Sequence, residues 1–235
     1  MADSSSGSVL VNIFTSPSAA FAALRERPNP WLALAIVVVG SAAVSFLYLQ
    51  VVDLPWMLDY QLSQGGNLTD EQRRQAVDVA LQISPTVYGA IGALSAPVSY
   101  LIAYALLALY FTGVSFATND GVKYGSWFAM IAWCMVPLVL GLAATLVNLL
   151  VTDARFLPPE QLNPLSFGNL LSIDSDGASL VERSLLSFSV IALWIAGLLV
   201  VGYQVLSQRS IVRAAVVVLG PVAAIVLISA IVAAL

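Results

Sequence analysis

The chain has 235 residues, of which 60% are hydrophobic and only 9% are charged, and its mean hydropathy is +0.92. A soluble domain carries roughly 25% charged residues, so this composition predicts an integral membrane protein. There is no histidine, a single cysteine and no basic run within a net charge of −4, which leaves too few ligands for a zinc or haem site and no surface for nucleic acid.

Residues 1–30 predict a cytoplasmic N-terminal segment of amphipathic helical character. Four apolar residues fall on one helical face: Val9, Leu10, Ile13 and Phe14. A second short helix is expected to begin with Ser16 as its cap and Pro17 at its first position. Two alternatives stay open. The segment lies on the cytoplasmic membrane face with Arg25 and Arg27 at the headgroups, or its apolar residues pack under the bundle.

Five apolar stretches predict five transmembrane helices within a single domain, residues 31–235. At about 1.5 Å per residue, each is long enough for the roughly 30 Å hydrocarbon core of a bilayer. The stretches cover about residues 31–52, 86–115, 126–151, 184–206 and 214–235. The expected fold is therefore an all-α integral membrane protein, a bundle of five transmembrane helices with a short N-terminal amphipathic helical segment.

Local signals predict features within and between these spans. Pro137 lies in the middle of the third span and Pro97 in the second, and a proline removes one backbone hydrogen bond and favours a kink. A polar loop is expected after the first span. Within it, Thr69 and Gln72 have the spacing of a capping box, which predicts a helix that runs to about Ile83.

The distribution of basic residues predicts the orientation of the chain. An N-terminus in the cytoplasm places five of the nine basic residues inside, on segments that are shorter than the outside ones, so the basic density near the span ends favours it. Only one of the nine is lysine, a usage typical of a GC-rich bacterial genome. The prediction is a multi-pass protein of a bacterial inner (plasma) membrane, with its C-terminus outside the cytoplasm.

The predicted spans contain no charged side chain, which argues against an ion-coupled pump. Six polar residues at depth are candidates for an intramembrane groove: Ser95, Ser99, Tyr100, Tyr104, Thr145 and Asn148. One interpretation is a polar groove for a lipid headgroup or a small ligand. The other is interhelical hydrogen bonding at about 0.6 kcal/mol per pair, which is the commoner use of such residues. No cofactor or metal ion is expected.

Three stretches resemble bacterial Yip1-domain proteins. They are the N-terminal phrase Asn12-Ile13-Phe14-Thr15-Ser16-Pro17 with the following Phe21, Pro28, Pro30 and Trp31, the run from Tyr124 to Pro137, and Trp194 through Arg213. The resemblance covers nearly all of the chain after residue 8. It implies a polytopic scaffold, and eukaryotic relatives are linked to Rab-type GTPases. That partner is not expected here, because the long cytoplasmic N-terminal region of those relatives is missing.

The leading functional hypothesis is a non-enzymatic inner-membrane scaffold or adaptor that binds lipids, other membrane proteins or copies of itself. The alternative is a passive channel or uncoupled transporter for a small solute or lipid. Five of the six polar residues would line its pathway: Ser95, Ser99, Tyr100, Tyr104 and Asn148. A lipid-modifying enzyme is the third hypothesis. It lacks a set of acid, base and nucleophile, although Asp53, Asp59 and Asp153 lie near the predicted outer boundary.

Overall fold

A computed structural model describes residues 5–64, 68–173 and 188–234. These ranges are predominantly helical, and an isolated bridge between Ser166 and Ser189 is the β-type pairing within them. The α-helices are α1 (Ser6–Thr15), α2 (Pro17–Glu26), α3 (Trp31–Val51), α4 (Leu54–Gln64), α5 (Asp70–Ala80), α6 (Pro85–Thr118), α7 (Tyr124–Cys134), α8 (Leu138–Val151), α9 (Phe167–Leu170), α10 (Val190–Ser207) and α11 (Ile211–Ala234).

Four helical stretches of the described chain are long and apolar enough to cross a membrane. They are Trp31–Val51, Thr86–Thr118, Tyr124–Val151 and Val190–Ser207. The chain is therefore a multi-pass membrane protein. The last helix, α11, has 24 residues and contains Pro221. The expected start of the fourth span falls within residues 174–187, which lie outside the described residues.

The break expected at Pro137 is confirmed. Helix α7 ends at Cys134, and α8 begins at Leu138 with Pro137 as its N-cap residue. Between them the backbone makes tighter bonds, because the amide of Val136 donates to the carbonyl of Trp133 and the amide of Leu138 to that of Met135. Pro97 has a milder effect, since α6 continues as one helix past it.

The region after α3 is more ordered than the polar loop expected from the sequence. The capping box is confirmed: the Thr69 hydroxyl accepts from the Gln72 amide at 3.3 Å, and the Gln72 side chain accepts from the Thr69 amide at 2.9 Å. The helix it opens, α5, ends at Ala80. Before it stands α4, which the sequence analysis did not predict and which Asp53 caps by accepting from the Trp56 amide at 3.0 Å.

Helices α3 and α6 pack closely where α6 carries glycine. A β-carbon built at Gly92 would lie 2.2 Å from Cδ1 of Leu49, and one at Gly89 would lie 2.5 Å from Nε2 of Gln50. Real side chains do not approach so closely, so these glycines let the two helix backbones come together. The end of α3 is thereby held against the beginning of α6.

The two N-terminal helices pack against the membrane helices α7 and α10. Their buried residues share one apolar cluster with Trp127, Met130, Leu198 and Leu206: Val9, Ile13, Ala20, Phe21 and Leu24. Just before α3, the indole nitrogen of Trp133 donates to the backbone carbonyl of Asn29 at 2.8 Å. Of the two alternatives for this segment, the contacts correspond to packing against the bundle.

Candidate functional site

An open cavity of about 420 Å³ lies between α3, α4 and α6. Its size is within the roughly 300–1,000 Å³ of small-molecule sites. Each helix contributes several lining residues, and the segment after α8 closes one side: Val44, Ser45, Tyr48 and Leu49 from α3, Met57, Leu58 and Gln61 from α4, Tyr88, Ile91, Gly92, Ser95 and Ala96 from α6, and Pro159 and Leu162. We call this space the α3–α6 cavity.

Hydrogen bonds fix the segment 153–163 across one end of the cavity. The Tyr48 hydroxyl donates to the carbonyl of Leu157 at 2.9 Å, and the amide of Asp53 donates to the carbonyl of Arg155 at 2.9 Å. On α4, the Tyr60 hydroxyl donates to a carboxylate oxygen of Glu160. The end of α3, the helix α4 and this segment therefore form one connected wall.

The six residues predicted for an intramembrane groove occupy three environments. Ser95 lines the α3–α6 cavity, and its hydroxyl donates to the carbonyl of Gly92 at 3.1 Å, while the Ser99 hydroxyl donates to the carbonyl of Ser95 at 2.9 Å. Tyr100 and Tyr104 point to the core, with ring centroids 6.3 Å apart.

The remaining two lie on α8. Thr145 is buried there, and Asn148 donates from its amide nitrogen to the carbonyl of Leu162 at 3.1 Å. Asn148 thus holds the segment that closes the cavity without lining it. The six side chains do not share one groove.

The polar lining that sequence reasoning missed comes from Ser45, Tyr48, Gln61 and Tyr88. They lie on three different helices, one of which was not predicted, so no spacing in the sequence connects them. The capping signal of Asp53 before Pro55, at the beginning of α4, is the sequence feature that would have led to Gln61.

An aromatic cluster fills the bundle toward the other end. The rings of Trp127 and Tyr203 stack with centroids 5.2 Å apart, and Phe111 lies 5.4 Å from the first and 5.5 Å from the second. The indole nitrogen of Trp127 and the hydroxyls of Tyr203 and Tyr104 are buried without a hydrogen-bond partner among the described residues. The rings of Phe111, Trp127 and Tyr203 thus join α6, α7 and α10 by packing.

At that same end, an ion pair links the turn between α6 and α7 to the turn between α10 and α11. Arg209, between α10 and α11, donates from Nε to Oδ1 of Asp120 at 2.6 Å and from Nη2 to the carbonyl of Thr118 at 2.9 Å. The Asp120 side chain is fully buried, whereas that of Arg209 is 37% exposed. Burial alone would raise the pKa of Asp120, but hydrogen bonds from Thr118 and Arg209 and the charges of Arg209 and Arg213 outweigh it. The pKa is lowered below its ordinary value.

A second pocket, of about 350 Å³, lies between α4 and α5 and is polar. Arg73 pairs there with Asp70 at 2.7 Å and with Asp59 at 3.6 Å. Surface pairs of this kind contribute at most about 1 kcal/mol. Within the described ranges, no group of three or more His, Cys, Asp or Glu side chains is arranged to hold a metal ion.

The family model described as "Yip1 domain" matches residues 11–233, which is nearly the whole chain. Neither the curated proteins nor the solved structures contain a match to the chain.

Proposed function

Because the chain belongs to the Yip1 family, we propose that it is a non-enzymatic scaffold or adaptor, which binds lipids, other membrane proteins or copies of itself. The family consists of membrane proteins and is not known for enzymatic activity. The proposal places the protein in a bacterial inner membrane, with lipid around its apolar helices. A Rab-type GTPase is not among the expected partners.

One observation carries this proposal: several hydroxyl groups of the span α6 donate to backbone carbonyls of the protein itself. The hydroxyls of Ser95, Ser99 and Thr112 donate to carbonyls three or four residues earlier on α6. Tyr110 donates to the carbonyl of Val217 at 2.9 Å and thereby joins α6 to α11. Hydroxyls that are already hydrogen-bonded in this way form neither a catalytic set of acid, base and nucleophile nor a continuous polar pathway. Their use therefore favours a binding role over the channel alternative.

The scaffold hypothesis predicts a stable complex in the native membrane. Native mass spectrometry of the full chain, released gently from its own membranes, should give a defined oligomer or a stoichiometric complex with another membrane protein. A monomer without a protein partner would contradict the scaffold. If that monomer also conducted a small solute in liposome flux assays, the channel hypothesis would replace the scaffold hypothesis.

The layout that we propose has five spans, with α11 as the fifth, an N-terminus in the cytoplasm and a C-terminus outside. Lys123 precedes α7 and Glu71 is near the beginning of α5, and both side chains are exposed. In a Cys134→Ala background, Glu71→Cys should react with an impermeant maleimide in intact spheroplasts. Lys123→Cys should react only after permeabilisation. The reverse pattern would invert the topology, and equal labelling of both positions would rule out this arrangement of spans.

A further inference from the structure

The walls of the α3–α6 cavity are chiefly apolar. Six aliphatic or thioether side chains from three helices and the closing segment face it: Val44, Leu49, Met57, Leu58, Ile91 and Leu162. Such walls favour an apolar occupant, whose gain comes from van der Waals contacts with the side chains that line the cavity. A hydrophilic solute would gain little from such walls.

The cavity opens where the protein faces lipid. Ile91 is both a lining residue and 51% exposed, and Ser95 beside it is exposed as well. Leu94 and Val98, on the neighbouring positions of α6, are exposed apolar side chains of a membrane-spanning helix. An apolar molecule in the bilayer therefore reaches the cavity sideways, without crossing water.

The polar groups of the lining are arranged by depth. Tyr88 lies in the first turn of α6 and Ala96 lies about 12 Å further along the helix, at 1.5 Å per residue. At the deeper level the Ser95 hydroxyl is already bonded to its own helix. Near the helix end, the amide of Gln61 and the hydroxyl of Tyr88 have no hydrogen-bond partner among the described residues. Ser45 of α3 contributes the other hydroxyl at this depth, so the deeper part carries two hydroxyls among aliphatic side chains, and the larger polar groups of Gln61 and Tyr88 lie near the helix end.

We propose that the α3–α6 cavity holds one acyl chain of a membrane phospholipid, with the ester and headgroup region of that lipid at Gln61 and Tyr88. This site deepens the proposed function and rests on it, because it specifies the lipid contact of the scaffold. The acyl chain enters from the lipid side, past the exposed Ile91 and Ser95 of α6. Met57 of α4 contacts it from the side that bulk lipid does not reach, since Met57 is only 4% exposed.

The test uses the full chain in vesicles of phosphatidylethanolamine and phosphatidylglycerol with a small fraction of phosphatidylethanolamine that carries a diazirine midway along one acyl chain. After illumination, peptide mapping should find the label on Met57 or Leu58. The change Ala96→Phe fills the cavity and should reduce that label at least fivefold. Ala103→Phe places the same side chain at an exposed position of α6 and should leave it unchanged.

A second cavity-filling variant and native mass spectrometry of the bound lipid complete the test. If Ala96→Phe fails to fold, the smaller filling change Ser95→Leu takes its place, and its label on α4 should also fall. Native mass spectrometry of the wild type should show one retained phospholipid, so a retained free fatty acid or no lipid at all would overturn the proposal. Label on Leu94 and Val98 without label on α4 would overturn it as well.

The outcomes separate this site from the scaffold on which it rests. An unlabelled cavity in a protein that still forms a stoichiometric complex rejects the acyl site and leaves the scaffold intact. A labelled cavity in a protein without any protein partner rejects the scaffold while the lipid site remains.

Discussion

Replacing Phe21 with alanine should lower the free energy of unfolding by about 3–5 kcal/mol, the usual effect of emptying a buried phenylalanine site. Phe21 is completely buried, and its ring fits against the bare backbone of Gly202, where a β-carbon would lie 3.2 Å from Cε1. Met130 closes the site from α7.

The measurement is equilibrium unfolding of the purified protein by dodecyl sulfate in mixed micelles. Phe116→Ala provides a matched control, because Phe116 is 87% exposed and its removal should change the free energy by no more than about 0.5 kcal/mol. Equal changes in the free energy of unfolding of the two variants would mean that α1 and α2 lie on the membrane surface instead of in the core.

Replacing Arg209 with methionine should cost about 1–3 kcal/mol, because it leaves the carboxylate of Asp120 without its charged partner, while the 37% exposure of Arg209 means that water already screens part of the pair. Some of the cost is mitigated by Thr118, whose hydroxyl still donates to that carboxylate. Arg27→Met is the control. Arg27 is exposed, has no ion pair within the described residues and should be nearly neutral when changed. The same unfolding assay measures both.

A double variant separates charge from packing. Asp120→Leu combined with Arg209→Met should recover most of the lost stability, since a buried ion pair replaced on both sides by apolar groups is often neutral. A double variant as unstable as the sum of the two single ones would contradict this account.

The lowered pKa of Asp120 also fixes a pH dependence. The ionised carboxylate contributes to the stability of the fold at pH values above its ordinary pKa of 3.8. That contribution is lost as the pH falls through the lower pKa of the folded state. Wild-type protein should therefore lose stability below about pH 4 more steeply than the double variant, which carries no carboxylate at this position.

Local features of this fold follow from the sequence, because their physical causes are local. The capping box of Thr69 and Gln72 and the break at Pro137 each depend on a few adjacent residues. Helix α4 was missed because polar residues such as Gln61 resemble a loop, and its capping Asp53 was considered only as an acid near the predicted outer boundary. The apolar stripe of α1 has the same pattern for a lipid or a protein partner, so only tertiary contacts distinguish the two alternatives.

The site depends on contacts that no local pattern encodes. Tyr48 and Leu157 are bonded across more than a hundred residues, and the cavity between them and α6 exists only when three helices and one loop have assembled. Ser95 belongs to this site, but its membership follows from its position beside Gly92, where α6 approaches α3. Ser99, which was also predicted for the groove, instead donates its hydroxyl to the carbonyl of Ser95 within α6.

The packing of Phe21 against Gly202 has a consequence for how the protein is made. At about 5–20 residues per second, a ribosome needs roughly 10–35 seconds to add the roughly 180 residues that separate the two positions. Helices α1 and α2 therefore leave the ribosome well before α10, one of the helices against which they pack. Throughout elongation their apolar stripe must be sheltered by lipid or by the insertion machinery, and the N-terminus closes the bundle after α10 has been inserted.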